Sequence, residues 1–366
     1  MRKGLFALAA VGLLTTGLAA CGNDSNATGS GSGSTASAGR VGVILPGTKS
    51  SARWATDNRK FLRAAFDAAG VPVDIQNAQG DKTQFRTIAD VMISSGVKVL
   101  IIVNLDSGSG KAALDKAKKA GIATIDYDRL TLNGGADYYV SFDNVKVGEL
   151  QGQGLVDCLA AKKYTQPKVA ELNGPPTDNN ATLFAQGYNS ILDPKYADGT
   201  FVKGPNLPAP DWNNAQGATL FEQMLTSDKD IKGVLAAKDG LGNAVISVLK
   251  KNKLNGQVPV TGQDATVQGL QNILAGDQCM TVYKATKPEA DAASSLAIAL
   301  AKGQKPTTAT GTTVDPKSKA NVPSVLLVPK AITADSVKDV IADGFVTKDA
   351  VCTAAYAAAC TKHGVS

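Results

Sequence analysis

The chain has 366 residues, 43% of them hydrophobic and 19% charged, with a formal charge of +6. That length exceeds one typical domain and that apolar share fills a core. The mild charge, two units of which come from Arg2 and Lys3, leaves no electrostatic footprint for nucleic acid, and a single histidine, His363, excludes a Ser-His-Asp triad elsewhere in the chain and any multi-His metal site.

Met1, Arg2 and Lys3 make a positive start, Leu5 to Leu14 is apolar, and Leu18-Ala19-Ala20-Cys21 follows. The apolar stretch is too short for a spanning helix and has the layout of a secretory signal. Small residues directly before a cysteine resemble a bacterial lipobox, in which residues 1–20 are removed and Cys21 carries the lipid. Residues 21–39 are mostly Gly, Ser, Asn, Thr and Ala, the composition of a flexible linker. The expectation is an exported protein, anchored through Cys21 to the bacterial cell membrane and working outside it. Export leaves Cys158, Cys279, Cys352 and Cys360 in an oxidising compartment, with three possible pairings or free thiols. Cys352 with Cys360 is the favoured pair. Their spacing along a continuous helix would be about 12 Å, too far for a disulfide, so the Ala-rich stretch between them must turn if the bond forms.

From Val41 the sequence alternates short apolar runs with amphipathic runs closed by Gly. Strands are predicted at 41–45, 71–76, 97–104, 122–127, 138–142, 168–172, 233–237, 258–261 and 280–283. Helices are predicted at 58–69, 83–95, 111–120, 147–161, 183–191, 215–226, 243–250, 267–275 and 288–302. This is the pattern of βαβ units and parallel sheets. There are too many units for one sheet, which implies an α/β protein with two doubly wound parallel-sheet lobes joined by a hinge.

Ligands of open parallel sheets sit beyond the carboxyl ends of the strands. Those ends carry Lys49, Arg53 and Trp54; Asn104 and Asp106; Asp126, Asp128 and Arg129; Asp143 and Asn144; Asp178, Asn179 and Asn180; Lys238 and Asp239; Gln263 and Asp264; and Lys284. Trp54 and Trp212 both lie outside apolar runs, where a core Trp would be expected. Carboxylates, carboxamides and guanidinium groups suit adjacent hydroxyls, and an indole suits the C–H face of a sugar ring.

Five stretches sharpen this: Tyr127-Asp-Arg129, Ser141-Phe-Asp-Asn-Val-Lys-Val-Gly-Glu-Leu-Gln151, Asp178-Asn-Asn-Ala181, Gly262-Gln-Asp-Ala265 and Met280-Thr-Val-Tyr-Lys284. With them the chain resembles, from about Val41 to Phe345, the periplasmic sugar-binding proteins of ABC importers, and most of all their D-xylose-binding branch. The resemblance implies the type I periplasmic binding protein fold, a monosaccharide ligand with D-xylose first, an ABC permease as membrane partner, a monomer, and neither cofactor nor metal. The implied sugar contacts are Arg53, Asp128, Arg129, Asp178, Asn180, Asp264 and Lys284, with Trp54 and Trp212 as aromatic faces. In one departure the family typically has Asn where this chain has Lys238; a cation there changes one hydroxyl partner or points elsewhere. The implied lobes are 40–144 with 285–322 and 145–284 with 323–366. Hinge crossings are expected near 143–147, at Lys284 and near 322–326.

Competing motifs are incomplete. Ser107-Gly-Ser-Gly-Lys-Ala112 lacks the leading Gly and the Ser/Thr of a phosphate loop, and Gly240-Leu-Gly242 lacks a third Gly for a dinucleotide. A glycoside hydrolase with an Asp pair is the alternative to a binding protein. Its carboxylates would stand among Arg, Lys and Asn, which hold them ionised.

Overall fold

The computed structural model describes residues 38–48 and 50–365. The expected signal segment, the lipidated Cys21, most of the linker and Lys49 lie outside the described residues.

The first lobe opens with β1 (Val41–Leu45), α1 (Asp57–Ala68), β2 (Val73–Asn77), α2 (Lys82–Ser94), β3 (Val99–Ile102), α3 (Ser107–Lys119), β4 (Ala123–Tyr127) and β5 (Tyr138–Phe142). The second lobe follows with α4 (Asn144–Lys162), β6 (Lys168–Asn173), α5 (Asn179–Ala197), β7 (Val202–Pro208), α6 (Asn214–Ser227), β8 (Ile231–Ala236), α7 (Asp239–Lys251), α8 (Val267–Ala275) and β9 (Thr281–Tyr283). The chain returns to the first lobe for α9 (Thr286–Ala301), β10 (Gly311–Val314) and β11 (Asn321–Leu327). It ends on the second with β12 (Lys330–Ile332), α10 (Val337–Ala342), α11 (Lys348–Val351) and α12 (Ala357–Lys362).

The first sheet has seven strands in the order β10-β11-β5-β4-β3-β1-β2, all parallel except β10. Both faces are covered, and the alternation of side chains decides which layer each residue meets. Val41, Val43 and Leu45 of β1 join the layer of α1 and α9, while Ile44 joins that of α2 and α3. The second lobe is built on the parallel order β7-β6-β8. The segment 258–264 extends it: Thr261 N donates to Val234 O at 3.1 Å, and Asp264 N to Val282 O of β9 at 2.8 Å. The strand expected over 258–261 is thus a single bridge, Val234–Val260, that links β8 to β9.

Other expectations change too. β7, with Gly204, Pro205 and Pro208, was not predicted; it is an exposed edge strand, where Pro is tolerated. β10 was also missed. β11 is a full strand of the first sheet, paired with β5 from Ser324 to Leu327, so the boundary expected after residue 322 cuts through a strand. The third crossing lies at 328–329, beyond Leu327, whose carbonyl accepts from Asp143 N at 2.9 Å.

The segment from Ile332 onward packs Val337, Val340, Val351 and Cys360 against Leu270, Ile273 and Leu274 of α8. Cys352 and Cys360 are bonded, with Cα atoms 5.9 Å apart, because the chain turns between α11 and α12. Cys158 and Cys279 form a second disulfide, joining α4 to the approach of β9.

Candidate functional site

All ten side chains expected to hold ligand line one cavity, together with Ser50, Ser51, Phe184 and Gln263. Its atom-free space, counting open solvent at the mouth, is about 350 Å³, and the enclosed part is tight.

Both lobes deliver their groups from strand ends. After β1, a turn of 3-10 helix at Ala52–Trp54 presents Arg53 and Trp54. After β4 come Asp128 and Arg129. Opposite them, Asp178 and Asn180 open α5, Trp212 follows β7, Lys238 follows β8, Asp264 follows the 258–261 segment, and Lys284 follows β9. Asp178 also caps α5 by accepting from Asn180 N, which fixes both residues at the cleft. Asp128, Trp212 and Asp264 have φ of 63°, 58° and 95°, a region that non-glycine residues rarely occupy and that collects at functional sites. Gly174 permits the placement of Trp212, since a Cβ there would overlap the indole.

The polar groups form one network. Arg53 Nη2 donates to Asp128 Oδ2 at 2.6 Å, and its guanidinium stacks 3.8 Å from the Trp54 ring centre. One face of that indole, expected to be free for a sugar, is therefore occupied by Arg53. Trp212 Nε1 donates to Asp178 Oδ2 at 2.9 Å, and Lys284 Nζ lies 3.2 Å from Asp264 Oδ1. Contacts also cross between the lobes. Arg129 Nε meets Asp178 Oδ2 at 3.1 Å, Asn180 Nδ2 donates to Asp128 O at 2.9 Å, and Lys238 Nζ donates to Ser50 O. A second bond from Lys238 Nζ goes to Trp212 O at 2.8 Å, so the cation lines the cavity with both of these partners on backbone.

Burial alone would raise the Asp128 carboxyl, but Arg53, Lys284 and Arg129 outweigh it and hold the group below its usual range. Asp264 behaves alike under Lys284, Arg53 and Lys238. Burial, then the charge of Asp128, pushes Glu289 up to about 8. Glu289 stands behind Arg53, 3.6 Å from Nη1, and is not on the cavity wall. Burial, reinforced by Arg129 and Arg53, lowers the Lys238 ammonium to about 8 against Asp264 and Asp239.

The glycosidase alternative finds no support here. Asp128 and Asp264 are held below their usual range, and the carboxyls that burial raises, Glu289, Asp239, Asp126 and Glu171, lie outside the cavity; a hydrolase needs a proton-donating acid facing its substrate. Arg53 Nε and Gln263 Oε1 are buried without a hydrogen-bond partner among the described residues. Such atoms call for a partner, and a hydroxyl can act as donor or acceptor to meet either. Phe184 was invisible as a site residue because it reads as helix core. It lies four positions after Asn180, on the same face of α5.

A family model of the periplasmic binding protein domain matches residues 41–305. The D-xylose-binding periplasmic protein of Haemophilus influenzae is 34% identical over 306 residues, covering 82% of this chain and 88% of its own length. The multiple sugar-binding periplasmic receptor ChvE of Rhizobium radiobacter is 35% identical, covering 84% and 90%. The carbohydrate transporter solute-binding protein of Chloroflexus aurantiacus, solved in complex with D-glucose, superposes with a TM-score of 0.77 at 31% identity, covering 85% of this chain and 97% of its own.

Proposed function

The chain belongs to the periplasmic binding protein domain family, and from that premise we propose that it captures a monosaccharide, D-xylose first, between its two lobes and delivers it to an ABC permease. The observation that carries this reading is the convergence of planar polar groups from both lobes on one small cavity. Contacts to the second lobe exist only when the cleft is closed, so a ligand touching both lobes stabilises the closed form. The permease reads that form. The ligand-binding set is Arg53, Trp54, Asp128, Arg129, Asp178, Asn180, Trp212, Lys238, Asp264 and Lys284. The protein acts as a monomer outside the cytoplasm, held to the bacterial cell membrane by lipid on Cys21. The curated relatives that carry D-xylose or several sugars in their names support the choice of ligand.

Titration calorimetry with a panel of free sugars and one xyloside tests this. The expected result is saturable monosaccharide binding, tightest for D-xylose and micromolar or better, with no sugar released from the xyloside. Release of free xylose, or no binding across the panel, would contradict it.

A further inference from the structure

A second chamber adjoins the cavity. It has about 960 Å³ of atom-free space, counting its open mouth, and its walls come from both lobes. Ser50, Arg129, Asp178 and Trp212 line both spaces, so they form the partition. Lys238 lines only the inner cavity. Its ammonium leaves α7 in the second lobe, bonds the carbonyl of Trp212 in its own lobe, and reaches the carbonyl of Ser50 in the first. Two of the four partition residues are thus tied together by one side chain. That side chain is 5% exposed, so it is packed and not free to swing.

We propose that Lys238 is a specificity-determining crossbar, closing the inner site to anything larger than one sugar ring and separating it from a chamber that could seat a second ring. The inference rests on the monosaccharide reading above. The chamber is polar, with Lys82 from the first lobe and Asp211 from the second among its lining, which suits hydroxyls and not an apolar aglycone. A side chain the length of Asn is too short to span to Ser50. Exclusion by a built obstacle is as effective a source of specificity as better contacts to the preferred ligand.

The test is the affinity ratio of D-xylose to xylobiose in the full chain, for the parent, Lys238→Ala and Lys238→Asn, with thermal melting to check folding. The parent should prefer D-xylose by roughly 100-fold or more, and both variants should bring the ratio to about tenfold or less. A parent that binds the two sugars about equally, or folded variants that keep the parent's ratio, would overturn the crossbar alone. A parent that binds no monosaccharide would overturn the functional reading and the crossbar with it. Two variants keep the test open if one fails to fold, and the parent's own ratio is decisive without either.

Discussion

Lys238 has a consequence for pH. With the cleft closed its ammonium titrates near 8; in an open cleft it meets water and returns toward the ordinary range of about 10.4. The closed form therefore binds fewer protons between those values, and closure is favoured as pH rises through them. Below about 7 both forms are charged and the effect is flat. Affinity for D-xylose should climb above pH 8 by up to about tenfold per pH unit, and the slope should vanish in Lys238→Met. The groups facing Lys238 are Asp264, Asp239, Arg129 and Arg53; Asp264 is held below its usual range, and Asp239, raised by burial to about 7, titrates below this window. Glu289 also titrates near 8, which is why the Lys238 variant is needed. A flat parent profile, or a slope that survives the substitution, argues against this assignment. The strand-end Asp, Asn and Arg residues could be read in the sequence because parallel sheets fix where such ends point. The link from Lys238 to Ser50 could not, since its acceptors are backbone carbonyls.

At the scale of elements, the site depends on how closely α4 and α5 pack. Asn144 at the start of α4 donates from Nδ2 to Asn180 Oδ1 at 3.1 Å, and Asn180 and Phe184 share a face of α5. The helices approach through Gly148 and Gly187: a Cβ on Gly148 would overlap the Phe184 carbonyl oxygen, and one on Gly187 that of Val145. Gly148→Ala should cost about 1–3 kcal/mol of stability by overpacking and weaken sugar binding as Asn180 shifts. Denaturant unfolding and calorimetry report the two effects, and an unchanged midpoint would show that the helices can part freely. Most elements were legible because β1 and β3 are unbroken apolar runs and the helices keep their apolar spacing. β7 and β10 were not. They are edge strands whose exposed, Gly- and Thr-bearing sequences look like loops, and edge pairing asks little of side chains. α5 was read too short at both ends, because its first turn is polar, with Asn180 on the cavity wall, and its last turns carry Asp193 and Pro194.

Across the whole molecule, the pairing of Cys352 with Cys360 was expected and occurs, contributing about 2–3 kcal/mol through loop-closure entropy. The bond between Cys158 and Cys279 closes a far longer loop, yet no sequence feature told whether these two cysteines would pair or stay free thiols. The two-lobe plan followed from counting strands. The third crossing was misplaced because β11 carries Pro323 and reads as a connector. The molecule is organised so that each lobe supplies part of one cavity wall. Asp128 belongs to the first half and Asp264 to the second, each held ionised by cations that reach across or beside the cleft. A ligand that bridges the lobes must lose affinity when either half is altered. The most direct measurement is titration of D-xylose into the parent, Asp128→Asn and Asp264→Ala. Both variants should bind more weakly by about 2 kcal/mol or more, because each leaves a buried polar partner unsatisfied; a folded variant of either lobe that binds like the parent would contradict capture between the lobes.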